Sequence, residues 1–291
     1  MEPPLLPIQA DIYIPPLLRT ATGSSHPNKQ HWSPISCTLI HTPTEALLID
    51  TSPTLDQTSA LADWIAETLL PGCELKYFFT THAHGDHFLG FPALLARWPD
   101  IQPIATAAVA NAIEATYTRE VLAYWRNLWP DHPMSTDTVT FHPLPATNTL
   151  TLSGHTLHAY DVVQGDSEAN AYLHIPSLSL IVAGDLVYGA CHVYLAEANT
   201  RQKRDDWINA IEQIEALGPK VVVPGHRRRT EVDGAWLLRG TKEYMRVFER
   251  ELAVAGSAGE LEERMGGLFP GRWGGYILQR SCEESWANRE V

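Results

Sequence analysis

Four side chains that can bind a metal ion lie within six residues of this sequence. The segment HAHGDH, residues 82 to 87, contains His82, His84, Asp86 and His87. Neutral imidazole and carboxylate groups are the usual ligands of zinc and its first-row neighbours. A polar surface loop with chance histidines is the alternative, but the apolar run at 75 to 79 directly before the cluster is typical of a buried strand. The pattern therefore predicts a metal site in the loop that follows this strand.

Two later segments also end an apolar run with a residue that can bind a metal. LSLIVAGD ends at Asp185, and KVVVPGH ends at His226. Alone, each would more often be a turn residue or a helix-start residue. Beside the histidine cluster, both become candidate ligands.

These motifs together resemble the metallo-β-lactamase-fold hydrolases, whose H-x-H-x-D-H signature is present as HAHGDH. LLIDTS (47 to 52), VAGDLVY and VPGH resemble the flanking motifs of that family, and the resemblance covers about residues 35 to 226. It implies an α/β protein, a four-layer αββα sandwich with two metal ions, expected to be zinc, at the edge of its sheets. It also implies a ligand set: His82 and His84 on the first ion, Asp86, His87 and His226 on the second, and Asp185 as a bridge.

One position departs from the family pattern. The family usually supplies a third histidine to the first ion from a Gly-His-Thr/Ser turn before the bridging aspartate, whereas this chain has Asp166 between Gly165 and Ser167. Asp166 is therefore the candidate ligand there. A carboxylate in place of an imidazole would favour iron or manganese at this position, or weaken the binding of zinc there. The rival ligands lie inside predicted strands: His155, His158 and His174.

Tyr188 lies three residues after Asp185, where the lactonase branch of the family carries a tyrosine. A phenol there could donate a hydrogen bond to a substrate carbonyl or developing oxyanion, and packing at a strand end is the alternative. We take Asp86 and Tyr188 as the candidate catalytic residues.

Two further sets of residues have a structural and a functional interpretation. Arg227, Arg228 and Arg229 form a run typical of a solvated surface, although one of them could bind a substrate carboxylate. Tryptophans could form the wall of an apolar pocket, but at this spacing they are more often core: Trp32, Trp125 and Trp129.

The composition excludes several classes of protein. An apolar fraction of 44% and a charged fraction of 19% over 291 residues are typical of globular proteins. The formal net charge of -13 disfavours nucleic acid or an anionic membrane as a partner and favours a small-molecule substrate. The four cysteines include no C-x-x-C pair, which predicts a reducing, cytoplasmic location. No stretch is long and apolar enough to predict a membrane span.

The periodicity of apolar residues predicts the elements that position these side chains. We expect an irregular, Pro-rich arm and loop over residues 1 to 34, a metallo-β-lactamase-fold core over 35 to 230, and a helical segment packed on the core over 231 to 291. Strands are predicted at 35 to 40, 46 to 50, 75 to 79, 138 to 144, 149 to 152, 155 to 163, 170 to 175, 178 to 184 and 220 to 224. Helices are predicted at 56 to 69, twice between 105 and 129, and at 204 to 217, 236 to 255 and 259 to 265, before a tail rich in Gly and Trp.

We expect a metal-dependent hydrolase that uses a metal-bound hydroxide to cleave an ester or lactone of a small molecule. The alternatives on the same fold are a lyase or isomerase, a mononuclear iron dioxygenase, and a hydrolase of β-lactams or thioesters. A nuclease is disfavoured by the negative charge.

Overall fold

Two mixed sheets carry the site in this computed structural model, which describes residues 5 to 22 and 27 to 289. The strands of the described residues are, in chain order, β1 (Gln9–Tyr13), β2 (Leu18–Arg19), β3 (His31–Trp32), β4 (Cys37–His41), β5 (Glu45–Ile49), β6 (Glu74–Phe79), β7 (Gln102–Ala105), β8 (His142–Pro143), β9 (Thr149–Leu152), β10 (His155–Gln164), β11 (Glu168–Ile175), β12 (Leu180–Val182) and β13 (Val221–Val223).

Helices separate the strands and follow them. The α-helices of the same residues are α1 (Leu55–Thr68), α2 (Gly85–Phe88), α3 (Phe91–Leu94), α4 (Ala107–Thr116), α5 (Arg119–Leu128), α6 (Arg201–Ala216), α7 (Trp236–Val254), α8 (Ala258–Leu268) and α9 (Gly275–Ala287). Among these helices, none combines the length and the apolar character needed to cross a membrane.

The first sheet has the order β1-β4-β5-β6-β7-β8, and the second has the order β13-β12-β11-β10-β9. In the first sheet, β5, β6, β7 and β8 run parallel, while β1, β4 and β5 pair antiparallel. In the second sheet, β12 and β13 run parallel and the remaining pairs are antiparallel. Because parallel strands end at the same edge, the loops after β5 and β6 lie together, and so do the loops after β12 and β13.

Buried apolar side chains lie between the sheets and under the helices on both sides. One cluster joins inward-facing residues of the two sheets, such as Leu39 and Leu173, with Leu61 and Ile65 of α1. A second cluster packs α6 and the three C-terminal helices against the second sheet. The layers are therefore helix, sheet, sheet, helix, which confirms the predicted αββα sandwich.

Most predicted elements are confirmed, and three predictions are wrong. Within the arm at 1 to 34, the prediction of irregular structure fails at β1, which forms the edge of the first sheet, and at the short β2–β3 pair. Residues 1 to 4 and 23 to 26 lie outside the described part of the chain. The strand predicted at 138 to 144 is reduced to two residues, since residues 138 to 141 have no ladder partner in the described residues. The tail contains α9, whose buried positions Ile277, Leu278 and Cys282 pack into the second apolar cluster.

Candidate metal centre

Five chain segments deliver polar side chains to one edge of the sandwich. Asp50 follows β5, and the HAHGDH segment follows β6 and includes α2. Asp166 lies in the turn between β10 and β11, while Asp185 and His226 follow β12 and β13. A hydrogen bond of 2.7 Å from the Ala171 amide to the Thr81 carbonyl joins the two sheets at this edge. The predicted site residues therefore meet at the ends of strands, as the sequence indicates.

Gly225 allows the loop after β13 to lie directly against Asp185. A Cβ atom on Gly225 would lie 1.9 Å from Oδ1 of Asp185. Only a residue without a side chain therefore allows the loop after β13 to bring His226 beside Asp185.

The first group of ligand atoms comprises His82, His84, Asp166 and Asp185, whose donor atoms all lie within 4.8 Å of one another. Oδ2 of Asp166 lies 2.8 Å from Nδ1 of His84 and 3.6 Å from Nε2 of His82. The structure thus brings Asp166 to the position proposed from the Gly-Asp-Ser turn. The rivals lie elsewhere: His155 contacts Ser177 and the Leu6 carbonyl, and His158 is paired with His174 across β10 and β11.

The second group comprises Asp86, His87 and His226, whose donor atoms also lie within 4.8 Å of one another. Asp185 lies between the two groups. Its Oδ1 is 3.3 Å from Nε2 of His87, and its Oδ2 is 3.2 Å from Nε2 of His226. Because Asp185 also belongs to the first group, one carboxylate faces both groups, as a bridging ligand must.

Hydrogen bonds fix the orientation of both histidines in the second group. Nδ1 of His87 donates to Oδ2 of Asp50 at 2.9 Å, and Nδ1 of His226 donates to the Ser33 carbonyl at 3.0 Å. Because a carboxylate and a carbonyl only accept, each Nδ1 carries the proton in the neutral ring. Each Nε2 is then a bare lone pair directed at the carboxylates of the centre.

The histidines of the first group are oriented in the same way. Nε2 of His84 donates to Oε1 of Glu197 at 2.9 Å, which leaves Nδ1 free to bind. The Thr81 hydroxyl donates to Asp50, so it accepts from Nδ1 of His82 at 3.0 Å and leaves Nε2 free. In its neutral form, each of the four imidazoles therefore presents an unprotonated nitrogen to the centre.

Several inward-facing atoms are buried and lie near ring nitrogens or carboxylates without a hydrogen bond of good geometry in the described part of the chain. They are Nε2 of His87, Oδ2 of Asp166 and Oδ1 of Asp185. Buried polar atoms without hydrogen bonds are costly, at about 1 to 3 kcal/mol each, so such a cluster indicates an additional partner. Imidazole and carboxylate donors around one point fit a divalent metal ion, and the residues present pass this test.

The electrostatics of the centre also require positive charge. Burial lowers the pKa of His82 to about 3. In His84, His87 and His226, burial has the same effect, but the neighbouring carboxylates of Asp166 and Asp185 overcome it and raise the pKa of each ring. The carboxylates thus attract a cation, either protons on the imidazoles or metal ions in their place.

An open cavity of about 770 Å³ leads to the centre. Its walls come from α4, α5 and α9 and from the loop at 194 to 199. They carry apolar and aromatic side chains, including Val121, Tyr124, Trp125, Tyr194 and Ile277. Trp32 and Trp125 line the cavity, whereas Trp129 is fully buried beside them. Trp32 and Trp125 therefore form part of the pocket wall, and Trp129 belongs to the core, so each interpretation of the sequence holds for part of the cluster.

Tyr188 lines the same cavity with its ring stacked on His226. Its hydroxyl donates to Oδ2 of Asp185 at 2.5 Å. Burial and the Asp185 carboxylate raise the pKa of Tyr188 well above its usual value, so the phenol keeps its proton at neutral pH. The hydroxyl is a donor at the centre, and it is directed at the carboxylate between the two groups.

The arginine run does not form a solvated surface. Arg227 is buried in an ion pair with Asp233 at 2.8 Å, and Arg228 lies over the ring of Trp273. Of the three, only Arg229 is exposed. The prediction is therefore wrong for two of the three residues, because their side chains anchor the loop after His226.

Sequence reasoning missed the residues that orient the ligands. Asp50 accepts from His87 and from the amide and hydroxyl of Thr81, and Glu197 accepts from His84. For Asp50 a signal exists, because an aspartate directly follows the apolar run of β5 at the same sheet edge. For Glu197 the sequence carries no such signal.

Comparisons with known proteins agree with this geometry. The family model for the metallo-beta-lactamase superfamily matches residues 32 to 226. The chain belongs to the metallo-beta-lactamase superfamily. It is accordingly an enzyme, a metallo-β-lactamase-fold hydrolase, with a cluster of side chains that can hold metal. A search of curated proteins finds no significant match.

Solved structures share the fold. A metallo-beta-lactamase from Pontibacter korlensis is 20% identical with a TM-score of 0.58, covering 82% of this chain and 99% of its own. A metallo-beta-lactamase family protein from Thermus thermophilus is 18% identical with a TM-score of 0.59, covering 94% and 92%. The FIM-1 metallo-beta-lactamase from Pseudomonas aeruginosa, in its mono-zinc form, is 16% identical with a TM-score of 0.51, covering 82% and 90%. At these identities the likeness is one of fold alone.

Proposed function

We propose that this protein hydrolyses an ester or lactone of a small, uncharged molecule with two zinc ions bound at the candidate metal centre. The observation that carries the proposal is the convergence of the two groups. Four imidazoles whose outer nitrogens are held by hydrogen bonds direct their inner nitrogens toward three carboxylates. When bound, such ions lower the pKa of a coordinated water toward about 7 and polarise a carbonyl.

The ligands divide as the two groups do. His82, His84 and Asp166 would hold one ion, and Asp86, His87 and His226 would hold the other, with Asp185 between them. Because Asp166 supplies a carboxylate where the family resemblance implies a histidine, iron or manganese is the alternative for the first ion.

The cavity supports an uncharged substrate. Its lining includes five carboxylates but only two cations, Lys203 and Arg280. Lys203 pairs with Glu168, and Arg280 pairs with Glu283 and Glu284. A substrate carboxylate would therefore meet side-chain cations that already have acidic partners, whereas an apolar or aromatic group fits the walls.

Tyr188 supports cleavage of an oxygen ester. Its protonated hydroxyl lies where the cavity meets Asp185 and can donate to a developing oxyanion or to the leaving oxygen. The nearby His192 is buried with its Nδ1 at 2.9 Å from the Tyr244 hydroxyl, which ties the loop after Tyr188 to α7.

The test combines metal analysis with a substrate panel. Purified protein is assayed for bound metal and for turnover of lactones, esters, thioesters and β-lactams, and the product is analysed after reaction in ¹⁸O-labelled water. We expect two equivalents of metal, preference for an uncharged ester or lactone, and one labelled oxygen in the product. A product without the label would exclude hydrolysis, and preference for an anionic β-lactam would refute the assigned substrate class.

A further inference from the structure

Two adjacent residues of the N-terminal segment contact two of the three members of the second group. Nε1 of Trp32 donates to Oδ2 of Asp86 at 2.7 Å, and the Ser33 carbonyl accepts from Nδ1 of His226 at 3.0 Å. The same Oδ2 of Asp86 lies 3.5 Å from Nε2 of His226. One dipeptide therefore fixes the relative positions of a carboxylate and an imidazole that come from different sheets.

The orientation of the indole is determined by its surroundings. Trp32 is 6% exposed and ends the short strand β3. Its ring meets Trp125 and Trp129 edge to face, with centroids 5.8 Å and 5.5 Å away, and contacts Tyr276 of α9. Because rings on several sides contact the indole, its N–H cannot turn away from Asp86 without disturbing the packing.

This hydrogen bond would change how Asp86 behaves as a ligand. An N–H donor stabilises the ionised carboxylate and holds it in one rotamer. The indole also forms part of the cavity wall beside Asp86, so it covers one side of this carboxylate.

We propose that Trp32 is a positioning residue for the second metal ion, and that the Trp32–Ser33 segment makes the N-terminal part of the chain a component of the metal centre. The inference rests on the proposed dinuclear centre and assigns to these two residues the relative placement of Asp86 and His226. Partners that orient metal ligands typically affect metal affinity by about 10-fold to 100-fold.

The test is Trp32→Phe, which removes the indole N–H and keeps an aromatic ring. Metal-free wild type and variant are titrated with Zn²⁺ in competition with a chromophoric chelator. We expect the first ion to bind equally in both and the second to bind about 10-fold to 100-fold more weakly in the variant. Equal affinity for both ions would overturn the inference. Wild-type protein that binds fewer than two ions would instead overturn the dinuclear centre beneath it.

Trp129→Phe is the matched control. Trp129 is fully buried in the same aromatic cluster, and its Nε1 has no hydrogen-bond partner in the described chain. Its substitution therefore disturbs similar packing without removing a contact to a ligand. We expect both ions to bind as in the wild type. An equal loss of the second ion in both variants would assign the effect to packing and overturn the role of the N–H.

A measurement on the wild type covers the case in which Trp32→Phe does not fold. The chain has nine tryptophans. In ¹⁵N-labelled protein, we expect one indole N–H resonance to shift as Zn²⁺ fills the centre. If no indole resonance responds to either equivalent of Zn²⁺, the inference fails.

Discussion

The two groups of the metal centre are supported differently. In the second group, the outer nitrogens of His87 and His226 donate to partners inside the protein, the buried Asp50 and the Ser33 carbonyl. In the first group, His82 also has a buried partner in the Thr81 hydroxyl, but His84 donates to Glu197, whose side chain is 52% exposed. A buried partner has one position, whereas an exposed carboxylate can exchange the imidazole for water. The second group is therefore expected to be the more rigid and the first the more adaptable.

Loss of Asp185 should abolish the distinction between the groups. Because Asp185 faces both, Asp185→Ala should reduce binding of both ions and lose more metal than any variant of a single terminal ligand. Elemental analysis of the purified variants measures this, with His82→Ala as the terminal-ligand control. Equal metal loss in the two variants would contradict a bridging role.

Changes at Asp166 should affect the first group alone. Asp166→Asn removes a buried charge beside His84. It should weaken binding of the first ion and leave binding of the second ion unchanged. Asp166→His should instead give the first site three imidazoles beside Asp185 and raise its zinc affinity. Zinc titration of the metal-free variants checks both expectations, and unchanged metal binding in both would show that Asp166 is not a ligand.

Tyr188→Phe distinguishes a catalytic role of the Tyr188 hydroxyl from a role in positioning Asp185. If the hydroxyl donates to the oxyanion, turnover should fall by roughly 10-fold to 1000-fold with both ions retained. If its contact with Asp185 only orients that carboxylate, metal affinity should fall instead. Turnover and metal content are measured on the same preparation. Full activity with full metal content would show that Tyr188 only packs in the core.

The orienting carboxylates give the smallest effects and the sharpest comparison. Asp50→Asn removes the charge and replaces one of the two acceptor oxygens by an NH₂ donor in the buried interior, where His87 and Thr81 both donate to Asp50, so second-ion affinity should fall by about 10-fold to 100-fold. Glu197→Gln retains an acceptor at the surface, so first-ion affinity should change by about 10-fold or less. Competition titration measures both, and a larger effect at Glu197 would reverse the assignment of rigid and adaptable groups.

The sequence predicts the ligands much better than their partners. HAHGDH, Asp185 and His226 can be found because each follows an apolar run, and a strand delivers its end to a sheet edge. The partners are distant in sequence: Asp50 is 37 residues from His87, and Glu197 is 113 residues from His84. The parallel pairing of β5 with β6 brings Asp50 beside His87, and the packing of the two halves of the sandwich brings Glu197 beside His84. No local sequence pattern encodes either long-range contact.

The fold, too, can be predicted only in part from local sequence patterns. The β4–β5 hairpin and α1 were predictable from alternation and from helical spacing. The strand β1 was not, because the prolines around it indicate irregular structure, yet they are compatible with an edge strand that pairs on one side only. Likewise, Gly274 precedes α9 and Gly275 begins it, and its helical form depends on packing against the second sheet's helices.

The contact between Ser33 and His226 spans 193 residues of the chain, which has a consequence for the order of folding. Closing so long a loop is entropically costly, so this contact is expected to form late. During synthesis at about 5 to 20 residues per second, roughly 10 to 40 s separate the two residues at the ribosome. A nascent chain would therefore contain the His82–His87 loop well before His226 is available to complete the second group. The metal centre would be complete only after the two ends of the core have come together.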